Sequence, residues 1–259
     1  MDELLTDRTA VITGGASGFG RAIARTFAAE GADIVVADIR EEPREGGEPT
    51  HELIEQETDR AAGFVDCDVT EPEDLTVAVE AAEEFGGIDI MVNNAGITNE
   101  TDFLEVTEAE YEELMSINVK GVFFGAQAAA TAMLDNGGGT MINMSSAGAY
   151  RAMADISTYC ASKAAVRTLT YALADRFGGD IRVNSINPGF SNTQMTAESS
   201  LGSGVKGRID AKMLKGTIPE GRFGEPQEIA DVALFLASDR SSYVNGESIL
   251  VDGGLTHTG

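Results

Sequence analysis

Lysine is scarce in this chain, five among 259 residues, and arginine raises the basic total only to 18 against 43 Asp and Glu. The formal charge of -25 argues against recognition of nucleic acid or of an anionic membrane through a basic surface, and against acidic partners. The acids are scattered along every segment rather than gathered in a tail. Such self-repulsion is tolerable where salt screens it, at a Debye length of ~3 Å in molar salt, so a halophilic protein of a high-salt cytoplasm is expected. Cysteine is just as sparse. Cys67 and Cys160 are too few for a disulfide framework and read as free thiols in a reducing compartment. Long apolar runs are missing: nothing approaches the ~18 residues of a membrane span, and residues 1–5 have neither the basic nor the apolar region of an export signal. The expectation is a soluble, cytoplasmic protein with no membrane contact. What is present, a hydrophobic content of 42%, suits one α/β domain over residues 1–259 with a large single core.

Strand-like and helix-like segments alternate along the whole chain, with no repeat or linker to divide it. Residues 9–13 form a short apolar run that ends in Thr13-Gly14-Gly15-Ala16-Ser17-Gly18-Phe19-Gly20, and helical spacing follows to Glu30 with Phe19, Ile23 and Phe27 on one side. Glycines in such a strand–turn–helix let the backbone turn tightly, approach a pyrophosphate and pack helix on strand, while the helix N-terminus offers free N–H groups to phosphate. A second buried strand, residues 34–37, ends at Asp38. A carboxylate there can accept from both hydroxyls of an adenosine ribose and repels a 2′-phosphate, which favours NAD over NADP. Arg40, two residues on, could meet a phosphate in another backbone pose. Residues 41–50, acidic with two prolines and two glycines, read as an exposed loop.

Further strands are expected at residues 62–65, 88–92, 140–144, 181–186 and 248–251, and helices at 71–85, 107–134, 156–177 and 226–237. Asn118 is a buried-looking polar residue inside the long helix from Thr107. Residues 191–220, rich in Ser, Thr, Gly and Met with weak helical patterning around 209–214, form an excursion suited to a substrate-binding lid or to a plain surface insertion. Tyr159 and Lys163, four residues apart in the helix at 156–177, share one helical face. A lysine cation held near a tyrosine favours the phenolate and lowers a pKa that is otherwise about 10, which would make Tyr159 a general acid/base at neutral pH.

Taken together, these motifs resemble the short-chain dehydrogenase/reductase family, from about Thr9 to Gly254. The resemblance implies a Rossmann-type doubly wound fold, a seven-stranded parallel sheet with helices on both faces. It implies a catalytic set of Asn118, Ser146, Tyr159 and Lys163, where Ser146 rather than Ser145 is selected because the family places its serine thirteen positions before the tyrosine. It implies a cofactor site built from Gly14, Ser17, Gly18, Phe19 and Gly20 on the turn, Asp38 and Ile39 after the second strand, and Asp68 and Val69 after the third. Asn93, Ala95 and Gly96 belong to the same site, with Tyr159 and Lys163, and so does Pro188-Gly189-Phe190 with Thr193. No metal is implied.

The function expected is hydride transfer between NAD and a secondary alcohol or ketone such as a sugar, polyol or 3-hydroxyacyl compound. An NADPH-dependent 3-oxoacyl-thioester reductase is the alternative. Tyr159 would exchange the hydroxyl proton, Ser146 would hold the substrate oxygen, and Lys163 would lower the tyrosine pKa and bond the nicotinamide ribose. By resemblance, Asn118 would hold a water in a proton relay, and the helices from Thr107 and Ile156 would pair between subunits of a homotetramer. The substrate wall is expected from residues 147–156, Phe190 and the 191–220 excursion, including Tyr150, Met153, Met195 and Met213. A non-catalytic NAD-binding sensor would need the glycine turn but not Tyr159, Lys163 and Ser146. A methyltransferase would leave the Tyr–Lys pair unexplained.

Overall fold

The apolar runs become strands because each is short, rich in β-branched residues and buried on both faces. In a computed structural model, which describes residues 3–193 and 211–258, β1 (Arg8–Thr13) has every residue after Arg8 buried. β2 (Ala32–Asp38), β3 (Ala62–Asp66), β4 (Ile90–Asn93), β5 (Gly139–Met144), β6 (Ile181–Pro188) and β7 (Ser248–Val251) complete one sheet, ordered β3-β2-β1-β4-β5-β6-β7. All six pairings are parallel.

Alternation along each strand feeds two cores. Ala10 and Ile12 of β1 meet Ile23 and Phe27 of α1 (Gly18–Ala29) and Ile229, Ala233 and Leu236 of a C-terminal helix, Pro226–Ala237. Val11, between them, faces the other layer with Leu75 and Val79 of α3 (Pro72–Glu80), Ala126 and Met133 of α5 (Gly121–Asp135) and Ala174 of α6 (Ser157–Phe177). The chain is therefore a single doubly wound Rossmann-type domain. Its strand order reverses between β1 and β4, the place where such sheets open a crevice at their carboxyl ends.

Three helical segments depart from the sequence expectation. α2 (Thr50–Glu57) emerges from the end of the acidic loop, where only Thr50 and Ile54 of its eight residues are buried and no periodic stripe betrays it. The helix expected at 71–85 tightens after Glu80 into a 3-10 turn, residues 81–85, closed by Gly86 at φ 104°. The long helix expected at 107–134 is interrupted. α4 (Glu108–Met115) starts at a capping box between Thr107 and Glu110, gives way to one π turn over Ser116–Lys120, and resumes as α5. Asn118 is the buried residue of that π turn, and π turns tend to mark functional sites.

Of the excursion, residues 194–210 lie outside the described residues, and with them the expectations for Met195 and Ile209; the same holds for the Met213 side chain. A short helix, α7 (Ala211–Gly216), precedes the C-terminal helix α8 (Pro226–Ala237). Leu214, Ile218 and Phe223 bury against Leu255 and Phe190 as a small separate cluster.

Candidate active site

A cleft of about 680 Å³ opens at the carboxyl ends of the strands. Its floor is the glycine turn, which β4 holds in place. Thr13 Oγ1 accepts from the N–H groups of Asn94 (3.0 Å) and Ala95 (3.1 Å), and Asn94 Nδ2 donates to the carbonyls of Thr13 (2.8 Å) and Gly14 (3.1 Å). Gly14, at φ +64°, has no room for a side chain: a Cβ would stand 2.9 Å from Asn94 Nδ2. A Cβ on Gly20 would collide with the Gly14 carbonyl, so this glycine lets α1 close on the turn. Gly18 is different. At φ +55° it faces open space, with no atom within 4 Å of the place a Cβ would occupy.

Asp38, at the end of β2, is half-buried and accepts from Ala16 N–H at 3.1 Å. Burial pushes its carboxyl above the ordinary value, while the N–H groups of Ala16, Arg40 and Ile39 work against that shift. Ser17, Phe19, Ile39, Asp68 and Val69 line the same end of the cleft.

The other end carries the acid/base set. Tyr159 and Lys163 come from α6, and Ser146 follows β5. Lys163 is buried, and its Nζ donates to the Met144 carbonyl at 2.9 Å and lies 5.8 Å from the centre of the Tyr159 ring. Ser146 Oγ accepts from Gly148 N–H at 3.0 Å and is hydrogen-bonded to Tyr159. Ser145 points elsewhere. Its Oγ donates to the Lys163 carbonyl at 2.8 Å, tying β5 to α6.

Tyr159 and Lys163 are both shifted chiefly by burial. Burial pushes Tyr159 above its ordinary value, opposed only by the Ser146 hydrogen bond. Burial also pulls Lys163 down to about 8. The ammonium donates to the Met144 carbonyl while lying over the Tyr159 ring, and burial is the largest influence on both groups.

Gly96 separates Asn118 from Lys163: a Cβ there would stand 3.1 Å from Asn118 Oδ1 and 3.2 Å from Lys163 Nζ. The Asn118 side chain is committed to structure. Its Oδ1 accepts from Ile97 N–H (2.8 Å), and its Nδ2 donates to Ile97 O (2.9 Å) and Ser162 Oγ (3.1 Å).

Ala95, Gly96, Pro188, Gly189 and Thr193 line the cleft, but Asn93, Gly20, Asn118 and Phe190 are not on its wall. Asn93 Nδ2 instead donates to Asn143 Oδ1 inside the sheet at 2.9 Å, and Phe190 stacks toward Phe223 at 6.1 Å between centroids. Asn94 is the residue of that motif on the cleft wall, and since β4 is buried on both faces no alternation in the sequence marks it out. Arg44, Glu113 and Lys120 also line the cleft without any sequence signal to mark them. Lys120 Nζ donates to Thr70 O at 2.6 Å.

A glycine turn beneath an open cleft, an acidic residue after β2 and a Ser–Tyr–Lys group at the far end define a nucleotide-cofactor oxidoreductase. The comparisons narrow that class. The family model described as enoyl-(acyl carrier protein) reductase matches residues 14–256. L-2,3-butanediol dehydrogenase of Corynebacterium glutamicum is 40% identical, over 96% of this chain and 99% of that protein. D-threitol dehydrogenase of Mycolicibacterium smegmatis is 38% identical, over 98% of this chain and 95% of that protein. Among solved structures, levodione reductase superposes with a TM-score of 0.90 at 36% identity, covering 98% of this chain and all of that one. The chain belongs to the short-chain dehydrogenase/reductase family. It is an NAD(P)-dependent oxidoreductase that interconverts an alcohol and a ketone.

Proposed function

We propose that this enzyme oxidises a secondary alcohol, of the diol or polyol type, with NAD as acceptor. The observation that carries the reading is the pair of cleft ends: Asp38 beside the glycine turn, and Tyr159 hydrogen-bonded to Ser146 with Lys163 behind it. The diol- and tetritol-named relatives support the substrate class.

The residues fit a nicotinamide dinucleotide, since Gly18 leaves open space at the helix N-terminus, Gly14 admits no side chain, and a Cβ on Gly96 would crowd Asn118 Oδ1 and Lys163 Nζ. That cofactor, when bound, supplies the hydride acceptor. Asp38 would accept from the adenosine ribose hydroxyls, and Gly14, Ser17, Gly18, Phe19, Ile39, Asp68, Val69, Ala95, Gly96, Pro188, Gly189 and Thr193, which line the cleft, would form the rest of its bed. Tyr159 takes the proton of the substrate hydroxyl, and Ser146 donates to the oxygen on which charge develops. Burial raises the Tyr159 pKa, and the Lys163 ammonium over its ring, 5.8 Å from the centre, is the fixed positive charge beside the phenol. Asn118 spends both amide hydrogens and one Oδ1 lone pair on Ile97 and Ser162, so a relay water at this position would be held by its main chain within the π turn or by the remaining Oδ1 lone pair.

Apolar side chains left in solvent on the relevant helices, Tyr111 and Phe123 on α4 and α5 and Tyr171 on α6, support pairing into a homotetramer. Among the described residues no helix is long and apolar enough to cross a membrane. The charge of -25 supports work in a high-salt cytoplasm. Ser191 and Thr193, on the cleft wall, support a lid role for the excursion they begin.

The test is steady-state activity on secondary alcohols, sugars, polyols and 3-oxoacyl esters, with NAD(H) and NADP(H) compared in molar KCl. NAD-linked turnover of a diol supports the reading. Preference for NADPH with an acyl ketone overturns it in favour of the reductase alternative, and reduced-cofactor binding without turnover of any substrate would support a sensor.

A further inference from the structure

A carboxylate at the glycine turn has no part in the cofactor reading. Glu45 belongs to the loop between β2 and α2, and its Oε1 accepts from Gly18 N–H at 3.1 Å. On the other side of Ser17, Ala16 N–H donates to Asp38 at 3.1 Å. The loop is fastened at the residue between: Arg44 N–H donates to Ser17 Oγ at 2.8 Å, which fixes the main chain next to Glu45. Ser17, Gly18, Asp38 and Arg44 all line the adenosine end of the cleft.

A hydroxyl and two main-chain N–H groups at the start of a helix form a ready receptor for phosphate. In this chain both N–H groups are already taken by carboxylates, and the hydroxyl accepts from Arg44 N–H. The geometry points to Glu45 as a second determinant of cofactor choice, acting with Asp38 to exclude a dinucleotide that carries a phosphate on its adenosine ribose. The inference rests on the NAD reading above and deepens it. A ribose diol can donate to either carboxylate, whereas a phosphate brings only acceptors and negative charge to a place where two anions hold the donors.

Arg44 does not reverse this balance. Its charge is felt at Asp38 only as the weakest of the influences acting there; Arg21 on α1, which feels the Glu45 charge, donates to Thr50 Oγ1 at 2.9 Å, and the loop that carries Arg40 and Arg44 also carries Glu41, Glu42 and Glu48. Glu45 and Arg44 are exposed, so the exclusion is electrostatic and salt screens it.

The experiment compares kcat/KM for NAD and NADP on one substrate in wild type, Glu45→Gln, Asp38→Ser and the double variant, with NADH and NADPH binding followed by fluorescence. Glu45→Gln is expected to raise the NADP:NAD ratio about fivefold, as a partly screened charge contact of about 1 kcal/mol predicts, and to do so again in the Asp38→Ser background. In wild type the ratio should climb with KCl, and in the double variant it should hardly move. A purely structural role for Glu45 would weaken both cofactors alike and leave the ratio alone. The inference is overturned if the ratio changes by less than about twofold in both backgrounds, or if Arg44→Ala selectively loses NADPH while Glu45→Gln gains nothing. Failure of wild type to bind either reduced dinucleotide would overturn the cofactor reading itself, an outcome distinct from an unchanged ratio.

Discussion

Lys163 Nζ donates to the carbonyl of Met144 at 2.9 Å, so the last residue of β5 fixes where the one buried lysine of α6 points. The bond holds the ammonium beneath the cleft and satisfies a cation that burial would otherwise leave unsupported. The same ammonium lies over the Tyr159 ring, 5.8 Å from its centre, while burial holds the tyrosine pKa above its ordinary value.

Replacing Tyr159 by Phe removes the proton-transferring hydroxyl and little else. Turnover should fall by about 10²–10⁴ while NADH binding, measured by fluorescence, stays within a few-fold. Activity retained within tenfold would assign the proton transfer elsewhere. Since burial raises the Tyr159 pKa, alcohol oxidation by wild type should accelerate from pH 7 to pH 9, while ketone reduction, which uses the protonated tyrosine, should hold level over the same range.

Lys163 makes a stability prediction of definite sign. Its pKa falls from 10.5 in the unfolded chain to about 8 in the fold, so the unfolded state binds more protons between those values and stability gained from deprotonation grows as pH rises through them. Lys163→Met should therefore be more stable than wild type at pH 7, by about 3 kcal/mol at most, and the gap should close between pH 8 and pH 10.5. Denaturant melts of both proteins across this range test it; a gap independent of pH contradicts the assignment.

The two serines separate by their partners. Ser145→Ala removes the bond to the Lys163 carbonyl and should lower stability by about 1–3 kcal/mol while leaving most of kcat. Ser146→Ala should do the reverse, with a kcat loss of about 10²-fold or more and a small change in melting temperature. Exchange of these two outcomes would make Ser145 the residue that touches substrate.

Gly20→Ala places a methyl against the Gly14 carbonyl. Cofactor affinity and thermal stability should drop together, since the helix can move away only by opening the turn. A control, Gly46→Ala in the exposed loop, has free space around the added carbon but a φ of +80°, so its cost should stay near ~1 kcal/mol.

A thermal melt in rising KCl tests the salt reading. Screening of the -25 charge should lift the midpoint steadily up to molar concentrations. A midpoint that falls or stays level removes the halophilic expectation.

Most of the strands could be read directly, because apolar runs such as Ile34–Ala37 and Met141–Met144 are bounded by glycine or polar residues and have no other way to be buried. The glycine turn and the Tyr159–Lys163 spacing were legible for the same local reason: φ sign and helical period belong to a few consecutive residues. α2 was not legible, since two buried residues make no stripe. Neither was the π turn at Asn118, because its cause is distant: the side chain is held by Ile97 and Ser162, which only the folded chain brings to it.

The sequence by itself therefore determined the alternating fold, the position of the turn and the chemical identity of the acid/base pair. Tertiary structure alone decided which asparagine of Asn93-Asn94 faces the cleft, that Lys163 donates to the Met144 carbonyl, and that Glu45 closes on Gly18. Those outcomes depend on direction, burial and contacts between residues far apart in the chain. Composition and spacing carry no information about any of the three.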